Sequence, residues 1–162
     1  MTRIEELIEA LELRPHPEGG YYAETYRSVD CVSEGRSIVT AIYYLLPANA
    51  VSRLHRIDAD ELWFFHEGQP LHVHVFEGDR YERLTLGPAT DLRQRPQHLV
   101  RKGAWFGAHN EHASGFSLVS CVVAPGFEFK GFELAEQAWA LSRWPEQASL
   151  LKHLTVPQED ER

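Results

Sequence analysis

Cysteine is scarce in this 162-residue chain. Cys31 and Cys121 stand alone, and no CxxC spacing occurs. That usage suits a reduced, cytoplasmic setting and leaves a single Cys31–Cys121 bridge open. Long hydrophobic runs are missing too. No apolar stretch approaches the ~20 residues of a membrane span, which argues against an integral membrane protein. At the N-terminus, "MTRIEELIEALEL" carries glutamates where a signal peptide would have its apolar centre, so no secretion signal is expected. Basic residues are outnumbered, 16 Lys and Arg against 24 Asp and Glu, for a net charge of -8. Only "RKGAW" and "LRQRPQ" are locally basic, and phosphate contacts need clustered Lys and Arg, so no nucleic-acid partner is expected. The chain shows no linker, internal repeat or low-complexity tract. These absences leave one domain, residues 1–162.

What is present reads as a globular protein, with 43% hydrophobic and 11% aromatic residues. Residues 2–12 predict a helix: Thr2 and Glu5 have capping-box spacing, and Ile4, Leu7, Ile8 and Leu11 recur at helical period. Pro15 and Pro17 end it, and "HPEGG" supplies a turn. Seven short β-like runs then follow: "YYAETYRSV", "SIVTAIYYLL", "ELWFFH", "LHVHVF", "RYERLTL", "QHLVR" and "FSLVSCVVA". Gly, Pro, Asn and Asp divide them, which is the punctuation of a β-sandwich or barrel. Pro145 suits a first helical position, and Leu150, Leu151 and Leu154 give a closing helix its apolar side. The fold class expected is all-β, with short helices at both ends.

Four of the nine histidines crowd into "HRIDADELWFFHEGQPLHVH", residues 55–74. Strand parity puts Glu61, Trp63 and Phe65 on one face, and pairs His72 with His74 on another. The four histidines therefore do not obviously converge. His72 and His74 read as a solvent-side or dimer-side pair, and His109 and His112, in the polar "AHNEHASG", as solvated. Cys121 reads as a small core residue, and the glycines of "HPEGGYY" as a turn, since no phosphate-loop lysine accompanies them.

The spacing H-x-I-x3-E-x6-G over His55, Ile57, Glu61 and Gly68 resembles the first cupin motif with its second histidine replaced. "VRKGAWFGA" resembles the second, P-x-G-x2-H, with Arg101 at the proline, Gly103 at the glycine and Phe106 at the histidine. Together "PHPEGGYYAETYR", "HRIDADELW", "GAWFGA" and "VAPGFEF" resemble a cupin family of largely unassigned function, over about residues 4–155. The resemblance implies a double-stranded β-helix, or jelly roll, paired as a homodimer. It also implies that a metal-binding relative would supply three histidines and one glutamate, of which only His55 and Glu61 remain. Neither Ile57 nor Phe106 has a lone pair to donate, and selective sites need about three protein ligands, so no metal cofactor is expected.

Two readings of His55 and Glu61 stay open. A histidine and a carboxylate in one aromatic-lined pocket can act as general base and acid without a metal. Metal-free cupins that epimerise or isomerise sugars use a related arrangement. Alternatively the pair is a remnant of an ancestral metal site, hydrogen-bonded within the barrel. On the first reading the ligand is small, polar and carbohydrate-like. Trp63 and Trp105 would stack on it, and Gln97, Tyr21, Tyr43 and Glu128 would make polar contacts. A non-catalytic binding protein and a metal-dependent dioxygenase are the alternatives.

Overall fold

A computed structural model describes residues 1–157. Residues 158–162, the end of the expected domain, lie outside the described residues. The strands are β1 (Arg14–Pro15), β2 (Tyr21–Arg27), β3 (Thr40–Pro47), β4 (Ser52–Arg56), β5 (Asp60–Gly68) and β6 (Leu71–Glu77). They continue as β7 (Arg80–Leu86), β8 (Gln94–Arg95), β9 (Gln97–Val100), β10 (Trp105–His109), β11 (Phe116–Ala124) and β12 (Glu133–Leu134). The helices are α1 (Arg3–Ala10), α2 (Gln137–Arg143) and α3 (Ala148–Leu154).

Two six-stranded sheets form, ordered β1-β2-β3-β11-β5-β9 and β12-β4-β10-β6-β7-β8. Every pairing is antiparallel except β7 with β8. This is the expected jelly roll. Its inner faces share a core in which Tyr44, Leu46, Trp63 and Val119 from the first sheet meet Leu71, Val73, Phe106 and Ala108 from the second. Apolar residues at every second position face inward because neighbouring strand residues point to opposite faces.

Helices also pack on both outer faces. The α1 helix starts on the predicted capping box: the Glu5 amide donates to the Thr2 hydroxyl, and the Glu5 carboxylate accepts from the Thr2 amide. Its apolar side places Leu7 on Leu13, Leu45 and Leu118, outside the first sheet. At the other end, α2 and α3 bring Ala140, Trp144, Leu151 and Leu154 onto Leu54, Phe76 and Trp105, outside the second sheet. Pro145 opens a 3-10 turn, Pro145–Gln147, that runs directly into α3.

The C-terminal helices change the reading of the histidine pair. His72 and His74 do share the outer face of β6, but α3 overlies that face and His74 is only 2% exposed. It accepts or donates a hydrogen bond with the Tyr81 hydroxyl at 2.8 Å and with His109 at 3.1 Å. His109 ends β10 and packs edge-on against His153 of α3. His74 and His109 are therefore packed beneath a helix rather than solvated. Strand parity identified the face correctly; a distant helix decided that the face is not wet.

Candidate functional site

A cavity of about 300 Å³ opens between the sheets, at the small end of the usual range for ligand pockets. His55 and Glu61 line it from opposite sheets, on β4 and β5. The β4–β10 register sets Phe106 directly opposite His55, with ring centroids 4.2 Å apart, and Phe132 stacks on the imidazole at 5.1 Å. Ile57 also lines the cavity. The two positions where the motif lacks a ligand thus lie beside His55, and both are hydrocarbon. Among the described residues, no three His, Cys, Asp or Glu side chains are arranged to hold a metal ion. The residues present do not fit a cupin metal centre.

Hydrogen bonds and burial define the state of each polar group. His55 Nδ1 lies 2.6 Å from the Arg53 carbonyl oxygen. A carbonyl only accepts, so Nδ1 carries the proton and Nε2 keeps its lone pair. Burial lowers the His55 pKa to about 4, against a smaller opposing effect from the Arg53 carbonyl. Burial pushes Glu61 up to about 8, with the Trp63 indole N–H, 3.1 Å from its Oε2, pulling the other way. At neutral pH, then, His55 is an uncharged base and Glu61 an uncharged acid. Cys121 also lines the cavity within a core strand, and burial holds its thiol protonated. Both cysteines are free, Cys31 being exposed.

The segment between β1 and β2 contributes what the sequence reading assigned to a turn alone. The turn is real: Gly19 and Gly20 have φ of +108° and +75°, and a Cβ on Gly19 would lie 2.1 Å from the Val51 carbonyl oxygen. Tyr44 fastens it by donating its hydroxyl to the Gly19 carbonyl at 2.7 Å. The tight path delivers His16 and Glu18 to the cavity wall. Glu18 is 6% exposed, and its Oε2 has no hydrogen-bond partner among the described residues. Burial raises its pKa, partly offset by Arg53. Two sequence signals pointed here: paired glycines flanked by ionisable residues, and the "PHPEGG" portion of the family pattern.

A β-bulge aims one more charge at the cavity mouth. Along β2, Tyr22 pairs with Tyr44 and Glu24 with Ile42, but Tyr26 pairs with Ala41, leaving Thr25 as the extra residue. The bulge reverses parity, so Arg27 joins Tyr22 and Glu24 in lining the cavity. Arg27 is held by Glu24 at 2.6 Å and by the Phe127 carbonyl at 3.1 Å. Arg14 lines the same mouth.

Most of the expected ligand contacts lie elsewhere. Trp63 faces inward but is packed into the core, where it bonds Glu61 instead of offering a stacking face. Trp105 points the opposite way, because Phe106 takes the inward position on β10. It sits under α2 with Trp139 at 5.1 Å and the Arg56 guanidinium 4.7 Å above its ring. Tyr21 and Tyr43 pack toward α1, and the inward positions belong to their neighbours Tyr22 and Tyr44. Gln97 is exposed on β9, paired with Phe64 on the outward parity of β5. Glu128 pairs with Lys130 at 3.0 Å, while Phe127, Phe129 and Phe132 form the aromatic wall. A one-residue change of parity separates Trp105, Tyr21 and Tyr43 from the inward-facing Phe106, Tyr22 and Tyr44.

Comparison with known proteins places this architecture. The solved structure of protein SO0799 from Shewanella oneidensis is 38% identical and superposes with a TM-score of 0.92, covering 98% of this chain and all of that one. A hypothetical protein from Leishmania major is 36% identical with a TM-score of 0.86, over 94% of this chain and 98% of that one. Uncharacterized protein YML079W of Saccharomyces cerevisiae is 27% identical over 149 residues, 80% of this chain and 73% of that protein. The family described as "Cupin superfamily (DUF985)" matches residues 5–135. With its jelly roll, its two altered metal-ligand positions and this match, the chain belongs to that family of cupins.

Proposed function

We propose that the cavity binds a small, polar, carbohydrate-like ligand, and that His55 and Glu61 move protons on it as a metal-independent isomerase or epimerase. One observation carries the reading: an uncharged base and an uncharged acid, in complementary protonation states at neutral pH, line one cavity from opposite sheets. Base catalysis needs a lone pair that is free at working pH, and acid catalysis needs a proton still held there. A structural His–Glu pair would instead be expected to share a hydrogen bond. Here His55 bonds the Arg53 carbonyl and Glu61 accepts from Trp63. Tyr22 and the Phe127, Phe129 and Phe132 wall support carbohydrate, since aromatic faces suit the C–H side of a sugar.

The test is binding and turnover measured together. A sugar that binds the native state raises the melting temperature by mass action. For that sugar, His55→Ala is expected to keep the melting shift and lose about 10²- to 10⁴-fold in turnover, the usual contribution of a general base. A wild-type protein that shows the shift but converts no sugar is a binding protein, and the enzymatic reading fails.

A further inference from the structure

His16 is the cavity histidine that the proton-transfer pair leaves unused, and its surroundings determine its tautomer. The Glu18 backbone N–H donates to His16 Nδ1 at 2.9 Å. An amide N–H only donates, so Nδ1 holds a lone pair and, in the neutral ring, the proton is on Nε2. His55 is the reverse case, its Nδ1–H donating to the Arg53 carbonyl. The two imidazoles that line this cavity therefore present opposite functions through their remaining nitrogens: Nε2 of His55 accepts and Nε2 of His16 donates.

The His16 ring is also held in place. Tyr22 and Tyr44 pack edge-on against it at 4.8 and 5.4 Å. The His16 amide donates to the Gly20 carbonyl, and the Gly19 amide to the His16 carbonyl, closing the turn around the residue. Burial, with no carboxylate bonded to the ring among the described residues, keeps the imidazole neutral by lowering its pKa to about 4. A fixed, neutral N–H donor in a mostly apolar cavity costs no reorganisation when negative charge develops on an oxygen beside it.

We propose that His16 is a third catalytic residue, the donor that stabilises an enolate oxygen, and that the substrate is a carbonyl compound with an α C–H, such as an open-chain aldose or ketose. This rests on the proton-transfer reading of His55 and Glu61. His55 Nε2 takes the α proton, and the C–H electron pair becomes the C=C bond of the enolate. The carbonyl π pair moves onto oxygen, where the His16 Nε2–H donates its hydrogen bond. Reprotonation of the same carbon by the Glu61 carboxyl restores the carbonyl and inverts the centre. The proton left on His55 and the one lost from Glu61 are re-equilibrated through solvent.

Two measurements test this on the intact protein. Two-bond ¹⁵N–¹H correlation spectra at pH 7 assign the ring tautomers of the wild type. His16 is expected as the Nε2–H form and His55 as Nδ1–H. In D₂O, deuterium uptake at the α carbon of ribose, xylose, glucose, fructose and glucuronate reports enolisation. His16→Phe is expected to slow exchange of the responsive sugar by about 10²- to 10³-fold in kcat with little change in KM, as for loss of one oxyanion donor. His16→Gln, which keeps an N–H, is expected to recover at least part of that loss. An Nδ1–H or doubly protonated His16 overturns the assignment without reference to any variant or substrate. Exchange that His16→Phe leaves unchanged overturns the role of His16 alone and leaves the His55–Glu61 reading standing. Failure of the wild type to exchange any of the five sugars overturns both.

Discussion

Glu61 shows how a residue acquires its chemistry from what does not surround it. Among the described residues its buried carboxyl accepts from the Trp63 indole N–H and is bonded to no cation, so the neutral form is retained to about pH 8. The linkage has a definite sign. From the ordinary 4.5 up to about 8, the unfolded chain has released this proton and the folded protein has not, so stability falls as pH rises through that window. His16 and His55 do the reverse: each is held at about 4 against an ordinary 6.5, so their burial costs stability as pH falls below 6.5. Near pH 6.5 these histidines, half-protonated in the unfolded chain, still oppose the Glu61 slope, but their effect cancels when wild type is compared with a Glu61 variant. Between pH 6.5 and 8 Glu61 by itself is expected to contribute a loss of roughly 2 kcal/mol, at about 1.4 kcal/mol per pH unit for one proton. Glu61→Gln, whose amide oxygen can still accept from Trp63, should flatten the fall. Urea unfolding of both proteins at pH 6.5, 7.25 and 8 measures the difference, and parallel curves would refute the buried neutral acid.

At the scale of elements, β10 carries two faces with different duties. Phe106 and Ala108 look into the sandwich, while Trp105 and Gly107 look toward the C-terminal helices. Gly107 lies against both β4 and α3. A Cβ there would lie 2.8 Å from the Ser52 carbonyl oxygen and 3.4 Å from the Leu154 side chain. Gly107→Ala is therefore expected to destabilise by about 1–3 kcal/mol through overpacking between β4 and α3. Cavity formation is the complementary case: Leu154 is fully buried under the second sheet, and Leu154→Ala should cost about 2–5 kcal/mol. Thermal melts of the two variants check both values, and unchanged melting of Leu154→Ala would mean that α3 is not seated as described. Local periodicity was enough to find α1, since its capping box and apolar stripe lie within one stretch of chain. It was not enough for β10, a five-residue strand with a glycine at its centre, whose status as an interior strand comes from its neighbours β4 and β6.

For the whole molecule, the open question is what meets the edge of the first sheet. β1 pairs only with Tyr21 and Tyr22, so among the described residues the outer edge of β2 from Ala23 to Arg27 has no strand beside it. Tyr26, Val29, Val32 and Ile38 are exposed along the same region. An unpaired strand edge, here with apolar residues exposed beside it, is a template for another strand. We propose that a second copy of the chain covers it, giving a homodimer. Light scattering at micromolar concentration should return twice the 18.6 kDa chain mass, and Tyr26→Lys should shift the equilibrium toward the single chain. A wild-type mass of 18.6 kDa would count against the edge as an interface.

The sequence by itself determined the β class, the capped N-terminal helix, the family pattern and the replacement of two metal-ligand positions by Ile57 and Phe106. All of these are local: they depend on residue type, on spacing within a few positions and on the two-residue period of a strand. It also singled out His55 and Glu61 through the family pattern, whereas a register shift in β4 between Ser52 and His55 means that strand parity from Ser52 would have turned His55 outward. Tertiary structure decided the rest. The extra residue at Thr25 turns Arg27 to the cavity, and packing under α1 takes Tyr21 and Tyr43 away from it. The overlying α3 buries His74, and the Gly19–Gly20 turn carries His16 to the wall. Each of these outcomes depends on residues brought together from distant parts of the chain. The same holds for the protonation states, since burial, the main cause of the shifts in His16, His55 and Glu61, exists only after the two sheets close on one another.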